Sequence, residues 1–351
     1  MTPLNRRKYL ELLGIGAVLL LAVIVISPGI GSQSSSVGVI EAWGAVGRGA
    51  ESPPPVEYQI GFRLRLPRTL LAIEAGISLA LAGAIFQTLF RNALATPYTL
   101  GIASGGSLGA LLAIRFGLAF TFIKISSVTW MAFLGSMAVI GIVLLFTRGT
   151  RRLTTNELLL AGVTLGMFCS AMMMLVTSLS SVRQTFEIIR WMMGSLDTIG
   201  NLQWTSNLPL MIPCWIILIL SARALNQYVL GDELAQARGV NVVRLQFLCV
   251  IAASLATACV VAICGPIGFV GLVVPHTTAL IVGRDCRVLL PMSAMLGGVF
   301  LAVCDWIAQL ALVWAGAVSG TYMGHAVLPI GVITAIVGVP IFLVLLHKRA
   351  L

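Results

Sequence analysis

Ten stretches of this chain are apolar enough to cross a bilayer, and very little charge interrupts them. They lie near residues 10–26, 67–90, 98–115, 128–147, 157–177, 205–224, 244–263, 268–283, 289–314 and 328–346. A crossing helix needs about 20 apolar residues to span the hydrocarbon, and 351 residues hold ten such runs with enough left for connections. Composition points the same way, with 58% hydrophobic and 10% charged residues, against about 25% charged in a soluble domain. A soluble globular protein is excluded, and the expected fold is an all-α polytopic membrane protein with ten transmembrane helices.

The first run follows Arg6, Arg7 and Lys8 and is too long for a cleavable signal core, with no small-x-small cleavage site before Ser27-Pro28-Gly29. It is expected to be a retained first helix at about 10–27. An even number of crossings puts both termini on one side, and both are basic. With the termini inside, Arg91, Arg148, Arg151, Arg152, Arg223, Arg238, Arg244, Arg284 and Arg287 fall in inner connections, beside the three basic residues at the start and Lys348 and Arg349 at the end. That is 14 of the 22 basic residues, as the positive-inside bias requires. The net charge of +10 therefore reports orientation and calls for no nucleic acid. Both termini are placed in the cytoplasm.

The Gly-, Ser- and Pro-rich stretch at about 28–64 is an outer segment, with a short interfacial helix expected around Val37 to Val46. Small residues from Gly101 to Gly109 suit close helix packing. Cys264 to Gly271 has the composition of a tight turn, which predicts a shortened or tilted helix between Gly268 and Gly283. The run Thr185 to Met193, apolar with interleaved charge, predicts a helix lying on the outer surface. The seven cysteines form no CxxC pair and are expected as small core residues.

Candidate chemistry is sparse. An ionised group inside the bilayer is costly unless paired or hydrated, which singles out Glu74, a possible path-lining residue, and Asp305, expected to be hydrogen-bonded for packing. His276, His325 and His347 have no metal-ligand spacing, so neither a metal site nor a catalytic residue is assigned. The three lysines do not stand in a Gly-Lys-Ser/Thr motif, so any ATP used must be hydrolysed by another chain. The inner loop at about 229–244 reads as a short helix, acidic at its start with Asp232 and Glu233 and basic at its end with Arg238. A Gly239 stop and a second helical start at Asn241 follow. This suits docking of a soluble partner or, equally, a solvated loop.

The segments Arg65-Leu66-Pro67-Arg68-Thr69-Leu70, Arg91-Asn92-Ala93-Leu94-Ala95-Thr96-Pro97, Leu158 to Gly162, Glu233 to Val240, Gly265 to His276, Asp285 to Pro291 and Leu328 to Val332 occur in an order that resembles a known family. It is the permease subunits of bacterial type II ABC importers for iron-siderophore, haem and cobalamin. The resemblance covers the chain from Arg63 onward and implies one permease domain over 1–351, with helices two to ten at about 65–347, in the bacterial inner membrane. It implies a ferric siderophore as cargo, with cobalamin or haem as alternatives, while the intramembrane acids Glu74 and Asp305 keep an ion-coupled secondary transporter as a remoter alternative.

The implied partners are a second permease subunit, two ATPase subunits that carry ATP and Mg, one periplasmic or lipid-anchored substrate-binding protein, and membrane lipid. The chain itself would be no enzyme and would bind no cofactor. Carried over residue by residue, Glu233, Arg238, Gly239 and Val240 would couple to the ATPase. Asn92, Leu94, Thr155 and Asn156 would form the cytoplasmic gate, and Arg65 and Arg68 would dock the binding protein. Ala93 stands where the family usually has proline and Asn156 where a small hydroxyl residue is common.

Overall fold

The computed structural model describes residues 6–31, 38–49, 54–122, 125–147, 155–197, 202–319 and 327–350. Helix α1 (Arg6–Ile26) ends in a 3-10 turn at Ser27–Gly29, and the short helices α2 (Val39–Gly44) and α3 (Val56–Tyr58) follow on the outer side. A π-helical stretch, Gln59–Arg65, runs directly into α4 (Leu66–Leu89). A 3-10 turn at Pro97–Leu100 precedes α5 (Ile102–Arg115). A two-residue hairpin, β1 (Thr121–Phe122) against β2 (Ile125–Ser126), leads into α6 (Ser127–Thr147). Then come α7 (Thr155–Ser178), α8 (Val182–Met192), α9 (Leu202–Leu220), α10 (Ala222–Val229) and α11 (Asp232–Ala237). The last four are α12 (Val242–Cys264), α13 (Val270–Val282), α14 (Cys286–Ser319) and α15 (Ile330–Ala350).

Six helices among the described residues are long and apolar enough to cross a membrane alone. The pair α9 and α10, bent by 45°, supplies a seventh, and α5, α13 and α15 are shorter apolar helices on the remaining runs. The chain is an all-α polytopic membrane protein. The short members have local causes. The Thr96 side chain caps the 3-10 turn, and Gly101, at φ +73°, delays the start of α5. The reversal between Gly265 and Phe269, both at positive φ, leaves α13 only 13 residues. Tyr9, Leu12 and Leu13 of α1 pack on Val282, Val288 and Met292, so the basic start of α1 lies at the same end as the α13–α14 connection.

Helix α4 is the hub. In its most apolar window 89% of the residues are buried inside the chain, against 17% in α7, which turns most of its apolar surface outward. Inside hydrocarbon, apolar side chains gain little by meeting one another, so helices associate through close backbone approach. The glycines supply that approach. A methyl group on Gly83 would collide with the Gly271 carbonyl of α13, and one on Gly76 with the Gly297 carbonyl of α14. All seven cysteines are buried, and none is in a disulfide.

Replacing Gly83 with alanine forces a methyl group against the Gly271 backbone, and such overpacking costs about 1–3 kcal/mol. Gly83→Ala is therefore expected to lower the thermal unfolding midpoint in detergent. Gly14→Ala, with nothing within 4 Å of the added atom, is expected to leave it unchanged. Equal midpoints for the two variants would contradict the hub packing.

Candidate functional site

The inner loop folds as its residues dictate. Asp232 and Glu233 stand in the first turn of α11, where the helix dipole favours negative charge. Gly239, at φ +83°, closes the helix. Its N–H donates to the Gln236 carbonyl (2.9 Å) and the Val240 N–H to the Ala235 carbonyl (3.0 Å), a Schellman pair that satisfies the last carbonyls. Asn241 caps α12 by accepting from the Arg244 N–H at 3.0 Å. Arg238 donates back to the Gln227 side chain. Glu233 is exposed, as are the apolar residues Val229, Leu230, Leu234 and Val243, an unusual set for a face turned to water. Gln236, Gly239, Val240, Asn241, Val242 and Val243 border a hollow of about 390 Å³ beside them.

The loop is anchored to the helix ends behind it. Tyr228, buried in α10, donates from its hydroxyl to the Leu89 carbonyl of α4 (3.0 Å) and accepts from the Gln246 amide (3.2 Å). Asn226 donates to Asp285 at 2.7 Å and accepts the Cys286 N–H at 2.9 Å. Arg287 completes this clamp with a 2.7 Å bond to Asp285. Its guanidinium, helped by the Asn226 amide, holds the Asp285 carboxyl at about 2.

Two of the four residues expected at a gate, Asn92 and Leu94, lie together in the turn after α4. The Asn92 side chain accepts the Leu94 N–H at 2.9 Å, and Leu94 is 53% exposed. Thr155 opens α7 and Asn156 is exposed beside it. The turn at Pro97–Leu100 rests on α7, where a methyl group on Gly162 would strike the backbone of Thr99 and Leu100. Outside this contact lies an open groove of about 520 Å³, lined by Tyr98, Thr99, Ser104, Gly162, Val163, Gly166, Met167, Ser170, Ala171 and Met174. Every one of these side chains is uncharged at neutral pH.

The outer-face charges sit differently from the expectation. Arg68 is turned inward. Its Nε lies 3.0 Å from both Asp305 oxygens, its Nη2 donates to Oδ1 at 2.8 Å, and its Nη1 donates to Asp197 at 2.8 Å. Gln309 donates to the other oxygen of Asp305 at 2.7 Å, so this fully buried acid is satisfied. Arg65 is buried as well and donates to the Pro28 carbonyl at 3.0 Å. Both arginines are occupied within the chain because the helix they open is surrounded by other helices. Burial alone would raise the Asp197 carboxyl, but the Ser195 hydroxyl and the Arg68 and Arg190 guanidinium groups outweigh it and hold it below the usual range.

Glu74 is likewise not on the open groove. It is 3% exposed within the helix packing, and its carboxylate oxygens have no hydrogen-bond partner among the described residues. Helix α4, which carries it, is enclosed by the other helices of the chain on nearly every side. Sequence reasoning also missed Tyr228, Asn226 and Asp197, whose partners lie far away along the chain. The one local hint was the unusual polarity of Asn226-Gln227-Tyr228 at the end of an apolar run.

The family model described as the FecCD transport family matches residues 19–348. The chain is 37% identical over 298 residues to the hemin transport system permease protein HmuU of Yersinia pestis, covering 83% of this chain and 84% of that one. It is 37% identical over 291 residues to the vitamin B12 import system permease protein BtuC of Salmonella arizonae, covering 82% and 83%. A solved structure described as an inward-facing conformation of a metal-chelate type ABC transporter superposes with a TM-score of 0.79 at 30% identity, covering 97% of this chain and 99% of that one.

Two outcomes follow from the charge geometry. Removing one partner of a buried ion pair costs about 3–5 kcal/mol, because the other charge is stranded. Arg68→Ala is therefore expected to destabilise the detergent-solubilised protein strongly. Arg68→Met combined with Asp305→Leu is expected to recover most of the loss in a melting assay, and no recovery would contradict the pairing. The second outcome concerns pH. A folded Asp285 carboxyl at about 2 lies below its unfolded value of about 3.9, so the clamp contributes fully above roughly pH 4 and is lost as the pH falls through about 2. The melting difference between the parent and Asp285→Asn is expected to shrink over that window, and a constant difference would contradict the clamp.

Proposed function

The chain belongs to the FecCD transport family and is the permease of a type II ABC importer for metal chelates, haem or cobalamin, and within that range we propose that it carries a ferric siderophore. It is not an enzyme, and a separate ATPase subunit hydrolyses the ATP. The protein works in the cell membrane.

The observation that supports the cargo assignment is the groove between α7 and the Pro97–Leu100 turn. Its lining sets the small hydroxyl residues Thr99, Ser104 and Ser170 among glycine, alanine, valine and methionine, with the Tyr98 hydroxyl buried behind it and no Lys, Arg or His. A chelate that wraps its iron in a compact, weakly charged shell can slide over such a wall without a strong hold. Haem carries two propionates, and desolvating them there without a cation is unfavourable. The B12 permease relative keeps cobalamin as the second reading, since its corrin is also bulky.

The arrangement proposed for the assembly is two permease subunits around the path, the open face of α7 turned to it, with an ATPase under each inner loop and one binding protein above. Glu233, Arg238, Gly239 and Val240 would seat in the ATPase, a reading that the exposed apolar collar and the adjacent hollow support. Nucleotide-driven closure of the ATPases would then shift the loop against the helices that carry Asn92, Leu94, Thr155 and Asn156. Since Arg65 and Arg68 are held inside, the exposed Arg183 of α8 is the better placed cation to meet an acidic binding protein.

The test is uptake into proteoliposomes holding the complete importer, with ferric siderophore, cobalamin and haem each loaded on the binding protein in parallel. Ferric siderophore is expected to be accumulated and to stimulate ATP hydrolysis, and stimulation by cobalamin alone would overturn the cargo assignment. Gly239→Val places a β-branched residue at a positive φ. It is expected to cut uptake by roughly tenfold, as a coupling loss of about 1.4 kcal/mol would, with the chain still inserted and folded.

A further inference from the structure

We propose that Arg91 and Tyr228 form the joint that carries movement of the inner loop to the gate turn, with Arg91 as a positioning residue. This rests on the loop docking an ATPase and the turn forming the gate, as proposed above.

The joint is built from two helix ends that cap each other. The last carbonyls of a helix lack partners within it and must find them elsewhere. At the inner end of α4 the Leu89 carbonyl takes its bond from the Tyr228 hydroxyl of α10. At the end of α10 the Tyr228 carbonyl takes a bond from the Gly231 N–H (3.1 Å) and a second, shorter one from Nη2 of Arg91, at 2.8 Å. The Arg91 guanidinium also lies 4.8 Å from the centre of the Tyr228 ring, within cation–π range. The same Nη2 donates to Asp232, the first residue of α11, at 3.0 Å. One side chain therefore touches the end of α10 and the start of the docking helix.

The backbone of Arg91 bears on the other side of the joint. Its φ is +48°, the left-handed C-cap of a Schellman pair in which the Arg91 N–H donates to the Thr88 carbonyl (3.3 Å) and the Asn92 N–H to the Gln87 carbonyl (3.2 Å). The next residue, Asn92, starts the turn by accepting the Leu94 N–H. Any displacement of Asp232 pulls on Arg91, and any change in the Arg91 backbone redirects Asn92 and Leu94. Space for such a change exists alongside, in a cavity of about 350 Å³ bordered by Gln87, Arg91, Asn92, Val229, His276 and Arg284. Tyr228 itself is buried and bonded by Gln246, so it serves as the fixed pivot.

A static brace and a transmitting joint make the same contacts, so the test must read coupling between the two segments. The complete importer with Leu94→Cys is assembled in nanodiscs, and the rate at which a water-soluble maleimide modifies that position is followed by mass spectrometry, without nucleotide and with vanadate-trapped MgATP. In the Leu94→Cys parent the nucleotide is expected to change the rate by roughly fivefold or more, the lower end of ordinary allosteric coupling. With Arg91→Gly, which accepts the same φ without strain, the change is expected to fall below about twofold. Arg91→Lys, which keeps the charge toward Asp232 and the ring, is expected to restore part of it.

A full nucleotide response in Arg91→Gly would overturn the proposal. No response in the Leu94→Cys parent would instead contradict the gate assignment beneath it. If Arg91→Gly does not assemble, Asp232→Asn carries the same test, because it removes the ion pair and leaves both helix caps in place. An undiminished response there would equally overturn the joint.

Discussion

The architecture depends on the near-contact of backbones around α4. In water, apolar side chains would hold such a helix by leaving the solvent, but in a bilayer they have apolar surroundings either way. What remains is dispersion between closely fitted surfaces, and Gly76 and Gly83 let α14 and α13 approach α4 until their carbonyls lie against its backbone. A helix enclosed in this way cannot shift alone. Its ends, where the packing gives way to loops, are the places where movement can be received or delivered.

The few charges of the chain are spent at those ends. At the outer end Arg68 binds Asp305 and Asp197 together, tying α4 to α14 and to the segment after α8. At the inner end Arg91 ties the turn after α4 to α11, while Asn226, Asp285 and Arg287 tie α10 to the start of α14. In the outer set Arg68 and Asp305 are buried and paired, as a brace requires, with Asp197 at its exposed rim. The inner set is partly exposed, with Arg91 at 48% and Asp232 at 29%, so its bonds can exchange with water at small cost. That contrast fits an importer whose outer helix ends stay fixed while the inner face responds to a motor.

Legibility in the sequence followed the range of each interaction. The apolar runs, the Gly239 stop and the Asn241 cap are local signals, set by composition or by partners a few residues apart, and the helices on those runs, the stop and the cap are where they were expected. The surface helix Val182–Met192 was legible for the same reason. The pairing of Arg68 with Asp305 spans 237 residues, and nothing near either residue announces it. Arg68 was therefore read as facing outward. Glu74 stood out in the sequence as a lone acid in its helix, and only the tertiary arrangement reveals how closely that helix is enclosed. Tyr228 drew no reading at all, because its partner, the Leu89 carbonyl, lies 139 residues away along the chain.

The central claim is that the inner loop and the gate turn answer nucleotide as one unit, although they stand more than a hundred residues apart in the chain. Amide hydrogen exchange of the complete importer, with and without trapped nucleotide, tests this most directly. The account predicts that exchange in residues 226–240 and in residues 90–97 changes together when nucleotide is trapped. A change confined to 226–240, with 90–97 exchanging as before, would contradict it.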